Sequence, residues 1–132
     1  MRYLKNLPPL QNGLAYNYAL LTSSGNIKIG RSTNVYQRVK QLSNSNAGGY
    51  KIVAYCISPP NYISKTMEKV LHEQYKDYRI GGEFFAGLDF DEVCKVFNGL
   101  FQSESYKRAN ENKKEYYKTK EKHLEFRNNP MA

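Results

Sequence analysis

Apolar and polar positions near the start of the chain alternate in two short bursts. Residues 14–22 (LAYNYALLT) and 27–30 (IKIG) are rich in Tyr, Leu and Ile, and Ser23, Ser24, Gly25 and Asn26 between them have turn chemistry. The pattern predicts a β-hairpin. Within IKIG, Ile27 and Ile29 share one face, so Lys28 points away from whatever the isoleucines pack on. The period then changes. Val35, Val39 and Leu42, spaced i, i+4, i+7, form the stripe of a helix capped by Ser32 or Thr33 and running to about Ser43, with Arg38 beside the stripe. Residues 44–49 read as a polar, Gly-rich loop, and 50–58 (YKIVAYCIS) as a central strand. Pro59 and Pro60 end that strand and pre-set a second helix over about 61–77, with Ile63, Met67, Val70 and Leu71 on its core face. Glu68 and His72 lie one turn apart on the flank of that face. Gly81 and Gly82 turn the chain into a short Glu83-Phe84-Phe85 segment, and Asp89 or Asp91 opens a third helix carrying Phe90, Val93, Val96, Phe97 and Leu100.

Both ends differ from this middle. Residues 1–13 form an irregular lead-in broken at Pro8-Pro9 and Asn12-Gly13. Residues 103–127 hold 8 basic and 5 acidic side chains with neither Gly nor Pro, which predicts a long exposed helix with a thin stripe of Tyr106, Ala109, Tyr116 or Tyr117, and Leu124. The expected architecture is an α+β domain over 14–102, with a three-stranded, mainly antiparallel sheet flanked by helices, followed by a basic helical extension over 103–132. No internal repeat is present.

Composition narrows the class of partner. A chain of 132 residues is one domain, and 40% hydrophobic with 24% charged residues is an ordinary globular balance. A formal charge of +8 on so small a chain favours polyanions, nucleic acid foremost. No apolar run is long enough to span a bilayer, and no helix combines a bulky apolar face with a Lys-rich rim, so a membrane partner is not expected. Cys56 and Cys94 sit among apolar neighbours and read as core thiols in a reducing compartment rather than as a disulfide or a zinc site. That implies a cytoplasmic setting, including that of a virus-encoded protein in its host cell. The 12 tyrosines suit stacking on bases but decide nothing alone.

Four polar residues stand in a suggestive order: Tyr18 on the first strand of the hairpin, Lys28 on the second, Arg38 on the helix that follows, and Glu68 on the later helix. With Tyr16-Asn17-Tyr18, Lys28-Ile29-Gly30, Gly30-Arg31-Ser32, Glu68 with His72, and Gly82-Glu83-Phe84-Phe85 in this order, the sequence resembles the GIY-YIG nuclease superfamily from about Leu14 to Phe85. It is most similar to a phage-type branch with KIG in place of YIG. Only the tyrosine of GIY is kept, as Tyr18, and Lys28 stands where YIG has its tyrosine.

The resemblance implies hydrolysis of DNA, double-stranded in the simplest case, with Mg²⁺, or Mn²⁺ in its place. Phosphodiester hydrolysis needs an activated water and relief of the charge on phosphorus and the leaving oxygen. In this reading Glu68 holds the hydrated ion, Arg38 offers its planar fork to phosphate, and Tyr18 is the base, its proton loosened by Lys28. His72, Tyr16 and Arg31 support the site, and Glu83 is structural, bonding amides near the Gly81-Gly82 turn. Candidate DNA contacts are Arg31, Arg38 and Lys40 with Lys107, Arg108, Lys113 and Lys114 of the terminal helix, which also offers a surface for a homodimer. The four principal side chains are expected on one concave surface. Plainer readings exist for each: a strand aromatic for Tyr18, surface charges for Lys28, Arg38 and Glu68, and a solvated helix for the extension. The competing functions are a non-catalytic DNA-binding module with the same fold and a protein-interaction domain of incidental charge. Glu68 separates them, because a carboxylate facing phosphate hinders binding unless a cation intervenes.

Overall fold

In the computed structural model, residues 2–7, 10–43 and 51–128 are described, with side chains for 3–7, 10–43 and 51–120. The expected breaker at Pro8-Pro9, the loop over 44–49 and the stripe position Leu124 fall outside these sets. The hairpin forms as read: β1 (Tyr16–Thr22) and β2 (Ile27–Ser32) pair antiparallel, with Tyr18 opposite Gly30 and Leu20 opposite Lys28. The α+β class holds, but among the described residues the sheet has five strands rather than three, antiparallel throughout: with β3 (Ile52–Ile57), β4 (Arg79–Gly81) and β5 (Phe84–Phe85) the order is β3-β1-β2-β5-β4. The two extra strands, β4 and β5, are too short to show an alternation. β3 lies at the edge, not the centre, with Val53 exposed.

Opposed residues of β1 and β2 point to the same face, and this sorts the core into two. Tyr16, Tyr18 and Leu20 face Val35 and Val39 of α2 (Val35–Ser43) and Leu4 of α1 (Arg2–Lys5), so part of the lead-in is helical and packed. Ala19, Ile27 and Ile29 face Met67 and Leu71 of α3 (Ser64–Gln74) and Val93, Phe97 and Phe101 of α4 (Phe90–Gln102). Burying such side chains at about 25 cal/mol per Å² supplies most of the driving force.

Local chemistry explains where the helices begin. Asn34, rather than Ser32 or Thr33, caps α2, its Oδ1 accepting from Gln37 N at 3.0 Å, while Ser32 Oγ accepts from Asn34 N. α3 starts three residues later than the proline pair predicts, because Asn61 exchanges both backbone hydrogen bonds with Ala15 and is therefore extended. Val70, expected on the core face, is 40% exposed. α4 is capped by Asp89, which accepts from Asp91 N.

Two connections were not legible. Cys56 of β3 and Cys94 of α4 form a disulfide, with Cα atoms 6.2 Å apart, which corrects their reading as free thiols. Cys56 is opposite Ala19 in the sheet register and so faces α4. Asn17, in the middle of the YNY element, is fully buried and donates to the Ser64 carbonyl at 2.9 Å while accepting from Asn61 Nδ2 at 3.1 Å. It ties β1 to the start of α3, and a buried amide with these partners is satisfied.

The long helix α5 (Glu104–Asn128) is docked over its first half. Tyr106 is buried edge-on against Phe101 at 5.0 Å, Asn110 Oδ1 accepts from Tyr62 N at 2.8 Å, and the Tyr117 ring covers Gly13, whose φ is +90°. The docked face is thus Tyr106, Asn110 and Tyr117, while Ala109, Lys113 and Tyr116 are exposed. Among the described residues no helix is long and apolar enough to cross a membrane.

Tyr106→Ala should therefore cost about 3 kcal/mol in urea denaturation, as truncation of a buried aromatic commonly does. Tyr116→Ala, at a position 54% exposed, should cost less than about 0.5 kcal/mol. Equal losses would mean that α5 is not anchored in this way.

Candidate active site

The site is built around β2 where its outer edge becomes free. β5 pairs with β2 only at Ile27 and Lys28, and the Glu83 carbonyl accepts from Ile29 N at 3.0 Å; among the described residues no strand pairs with that edge over Gly30–Ser32. Gly30 is opposite Tyr18, and a Cβ built on it would lie 2.6 Å from the Tyr18 hydroxyl and 2.9 Å from Glu83 Oε2. The missing side chain is the space in which these two groups approach.

The four expected residues do not share one face of the sheet. Tyr18, Lys28 and Arg38 are on the α2 side; Glu68 rides on α3, across the sheet. A site confined to one face would be broken by that placement. Instead, the groups meet round the free edge. The Arg38 guanidinium lies near enough to the Tyr18 hydroxyl to lower its pKa, and the charges of Glu83 and Glu68 also act on Tyr18. Glu68 in turn feels the charges of Glu83, His72 and Arg31.

Lys28 has another partner than expected. It is buried, with 4% of its surface exposed; its Nζ donates to Glu83 Oε2 at 2.6 Å and lies 4.9 Å from the centre of the Phe84 ring. The pKa of the Tyr18 hydroxyl is pushed up to about 12 by burial first, with Arg38 lowering it and Glu83 and Glu68 adding to the rise. Tyr18 is therefore protonated at neutral pH, which corrects the expectation of a loosened proton.

Glu83 was read as a turn residue, but its carboxylate joins Lys28, Gly30 and Glu68. The signal was its place directly before the Phe84-Phe85 strand, which sets it beside β2; its partner Lys28 is 55 residues away. His72 locks α3 to β2: its Nε2 is 2.8 Å from the Ile29 carbonyl, which can only accept, so this nitrogen carries the proton. That bond and the edge contact with Phe85, at 5.2 Å, fix the turn of helix that presents Glu68. Arg31, on the α3 face, donates Nη1 to Ser64 Oγ at 3.1 Å and bears on Glu68.

The remaining expected residues lie elsewhere. Tyr16 is a core residue beside Leu4 and Val35, with its pKa raised by burial and by Tyr3. Lys40 is exposed over the Tyr36 ring, and Lys107 pairs with Glu104 at 3.8 Å. Arg108 is exposed and Lys114 half-buried on α5, whereas Lys113 reaches a cleft shared with Arg31.

The donor set suits a hard cation. Burial first, then the charge of Glu83, raises the Glu68 pKa above its ordinary 4.5, and His72 and Arg31 only partly offset this. A divalent ion against these oxygens would reverse both effects. Among the described residues no three His, Cys, Asp or Glu side chains form a ready-made cage, so Mg²⁺ here would keep most of its waters.

The model of the T5orf172 domain matches residues 13–101, about two-thirds of the chain. This protein belongs to the T5orf172 family. The domain occurs in phage and bacterial proteins and is associated with GIY-YIG and nuclease-like proteins. Comparison with curated proteins and with solved structures gives no match. The matched stretch of the T5orf172 domain contains every residue of the edge cluster, from Tyr18 to Glu83.

A raised carboxyl pKa binds its proton more tightly in the folded chain than in the unfolded one. Stability is thus unpenalised below the unfolded value and falls as pH rises through the folded pKa. Glu68→Gln should therefore match or exceed the wild type in thermal stability at neutral pH without divalent metal, and that advantage should vanish below about pH 4. Adding Mg²⁺ at ten times its Kd should stabilise the wild type by about 1.4 kcal/mol and leave the variant unmoved. A variant stabilised equally by Mg²⁺ would place the ion elsewhere.

Proposed function

We propose that this T5orf172 domain is a metal-dependent DNA endonuclease whose centre is the edge cluster of Tyr18, Arg38, Glu68 and Glu83. The observation that carries the reading is the meeting of the half-buried Glu83 carboxylate and the buried, protonated Tyr18 hydroxyl at Gly30, with the charges of Glu68 and Arg38 acting on the same point. Two acids brought together in this way are costly for a fold and useless for holding a polyanion, yet they suit a cation that a phosphate also needs.

Glu68, with Glu83 beside it, would hold Mg²⁺ or Mn²⁺. When bound, that ion withdraws charge from the phosphate and relieves the leaving oxygen. Arg38 offers two phosphate oxygens its planar fork, and its charge acts on the Tyr18 hydroxyl beside it. Tyr18, keeping its proton, donates from Oη to a phosphate oxygen. Lys28 holds the Glu83 carboxylate in place, and Glu83 accepts the proton of the attacking water. The water oxygen bonds to phosphorus, the bond from phosphorus to the leaving oxygen breaks, and that oxygen takes a proton from solvent. Lys28 thus acts through Glu83.

Plasmid DNA incubated with the protein should be cut with Mg²⁺ and left intact with chelator. Glu68→Gln should lower the cleavage rate by about 10² to 10³ while leaving DNA affinity equal or slightly higher, because a repelling carboxylate is gone. Arg38→Ala should lose both cleavage and affinity. A wild type that never cuts with any divalent metal, and binds DNA no differently from Glu68→Gln, would leave a binding module in place of an enzyme.

A further inference from the structure

α3 runs between two concavities, and Glu68 stands in the second, on the side toward the first. At its start is a cleft of about 520 Å³, whose lining includes Arg31 of β2, Lys65 of α3, and Lys113 and Tyr117 of α5. At its other end is an open groove of about 360 Å³ that includes Glu68 and His72 with Lys69, Lys76 and Arg79. Arg31 joins the two, since it lines the cleft and its charge acts on Glu68.

The cleft has three cations and no carboxylate in its lining, together with the Tyr62 ring. Its volume exceeds what a single inorganic ion fills and falls in the range of sites that take a nucleotide-sized group. Tyr62 and Tyr117 contact one another with ring centres 5.4 Å apart, and the bond from Tyr62 N to Asn110 fixes α5 as the far wall. The groove carries two carboxylates, Glu68 and Glu73, against Lys69, Lys76 and Arg79; Glu73 and Lys76 form an exposed pair at 3.0 Å that an arriving phosphate can displace. Lys65 and Lys69 are one helical turn apart, so positive charge flanks Glu68 on both sides along α3.

We propose that the DNA strand to be cut lies along α3, entering by the cleft, crossing Glu68 and leaving by the groove. Its backbone phosphates meet Arg31, Lys65 and Lys113 on one side and Lys69 and Lys76 on the other, and a sugar or base rests on Tyr62. The terminal helix is therefore one wall of the substrate channel. This rests on Glu68 as the centre of cleavage, but it makes a separate claim about where the strand runs.

The test is a salt titration of binding to a labelled duplex DNA oligonucleotide, with chelator present so that nothing is cut. Compared are the full chain, a cleft variant (Lys65→Ala with Lys113→Ala), a groove variant (Lys69→Ala with Lys76→Ala) and a control of equal charge change (Lys5→Ala with Lys95→Ala). Each phosphate contact contributes about 0.9 to the slope of log affinity against log salt. The cleft and groove variants should each lose about 1.8 in the magnitude of that slope, and the control should keep it. A cleft variant with the wild-type slope, or a control that loses as much, would overturn the channel, as would a wild type that binds no DNA. Cleavage with Mg²⁺ is scored apart. A chain that binds through both concavities yet never cuts supports the channel and ends the nuclease reading. A chain that cuts while ignoring the cleft variant does the reverse.

Discussion

A strand hydrogen-bonded along only one side is a place where the two faces of a sheet can be joined by side chains. In this protein that place is the outer edge of β2, and the condition for joining is that Gly30 carries no Cβ. The Tyr18 hydroxyl and the Glu83 carboxylate occupy the volume a methyl group would take. Around that point α2 contributes Arg38 from one side and α3 contributes Glu68 from the other. His72, bonded to the Ile29 carbonyl one residue before the glycine, holds α3 at the same height along the strand.

The electrostatics of this arrangement oppose folding and favour a ligand. Glu68 is half-buried, is penalised by burial and by Glu83, and is relieved in part by His72 and Arg31. Lys28 is taken from water to secure Glu83, an arrangement that adds little net stability but leaves that carboxylate in one position. Tyr18, with its pKa at about 12, remains a neutral donor. A site that stores such repulsion gains most when a cation arrives, and this is the usual trade of stability for function.

Much of this was legible in the sequence, and the exceptions share a cause. The hairpin, the helices carrying Arg38 and Glu68, and the third helix follow from periodicity and turn chemistry, which act over a few residues. Glu83 was read as a turn residue because its ion partner is 55 positions away. The Cys56–Cys94 bond and the Asn17 latch likewise join elements that only tertiary packing brings together. β4 and β5 are too short for any alternation to register, and the tyrosine pKa depends on burial, which spacing does not report. The terminal helix reads as mostly solvated because its docked face mixes Tyr106 and Tyr117 with the polar Asn110, too sparse an apolar stripe to register.

The claim that one site forms round Gly30 is tested most directly by Gly30→Ala, assayed for Mg²⁺-dependent cleavage beside thermal unfolding. Gly99→Ala on α4, where a Cβ meets nothing within 4 Å, is the control. Because the added methyl would lie 2.6 Å from the Tyr18 hydroxyl, that group and Glu83 must move apart. A misplacement of about 1 Å commonly costs about 10² in rate. The account predicts a loss of that order in a protein that still unfolds cooperatively, with the control at wild-type activity. Undiminished cleavage by Gly30→Ala would contradict it.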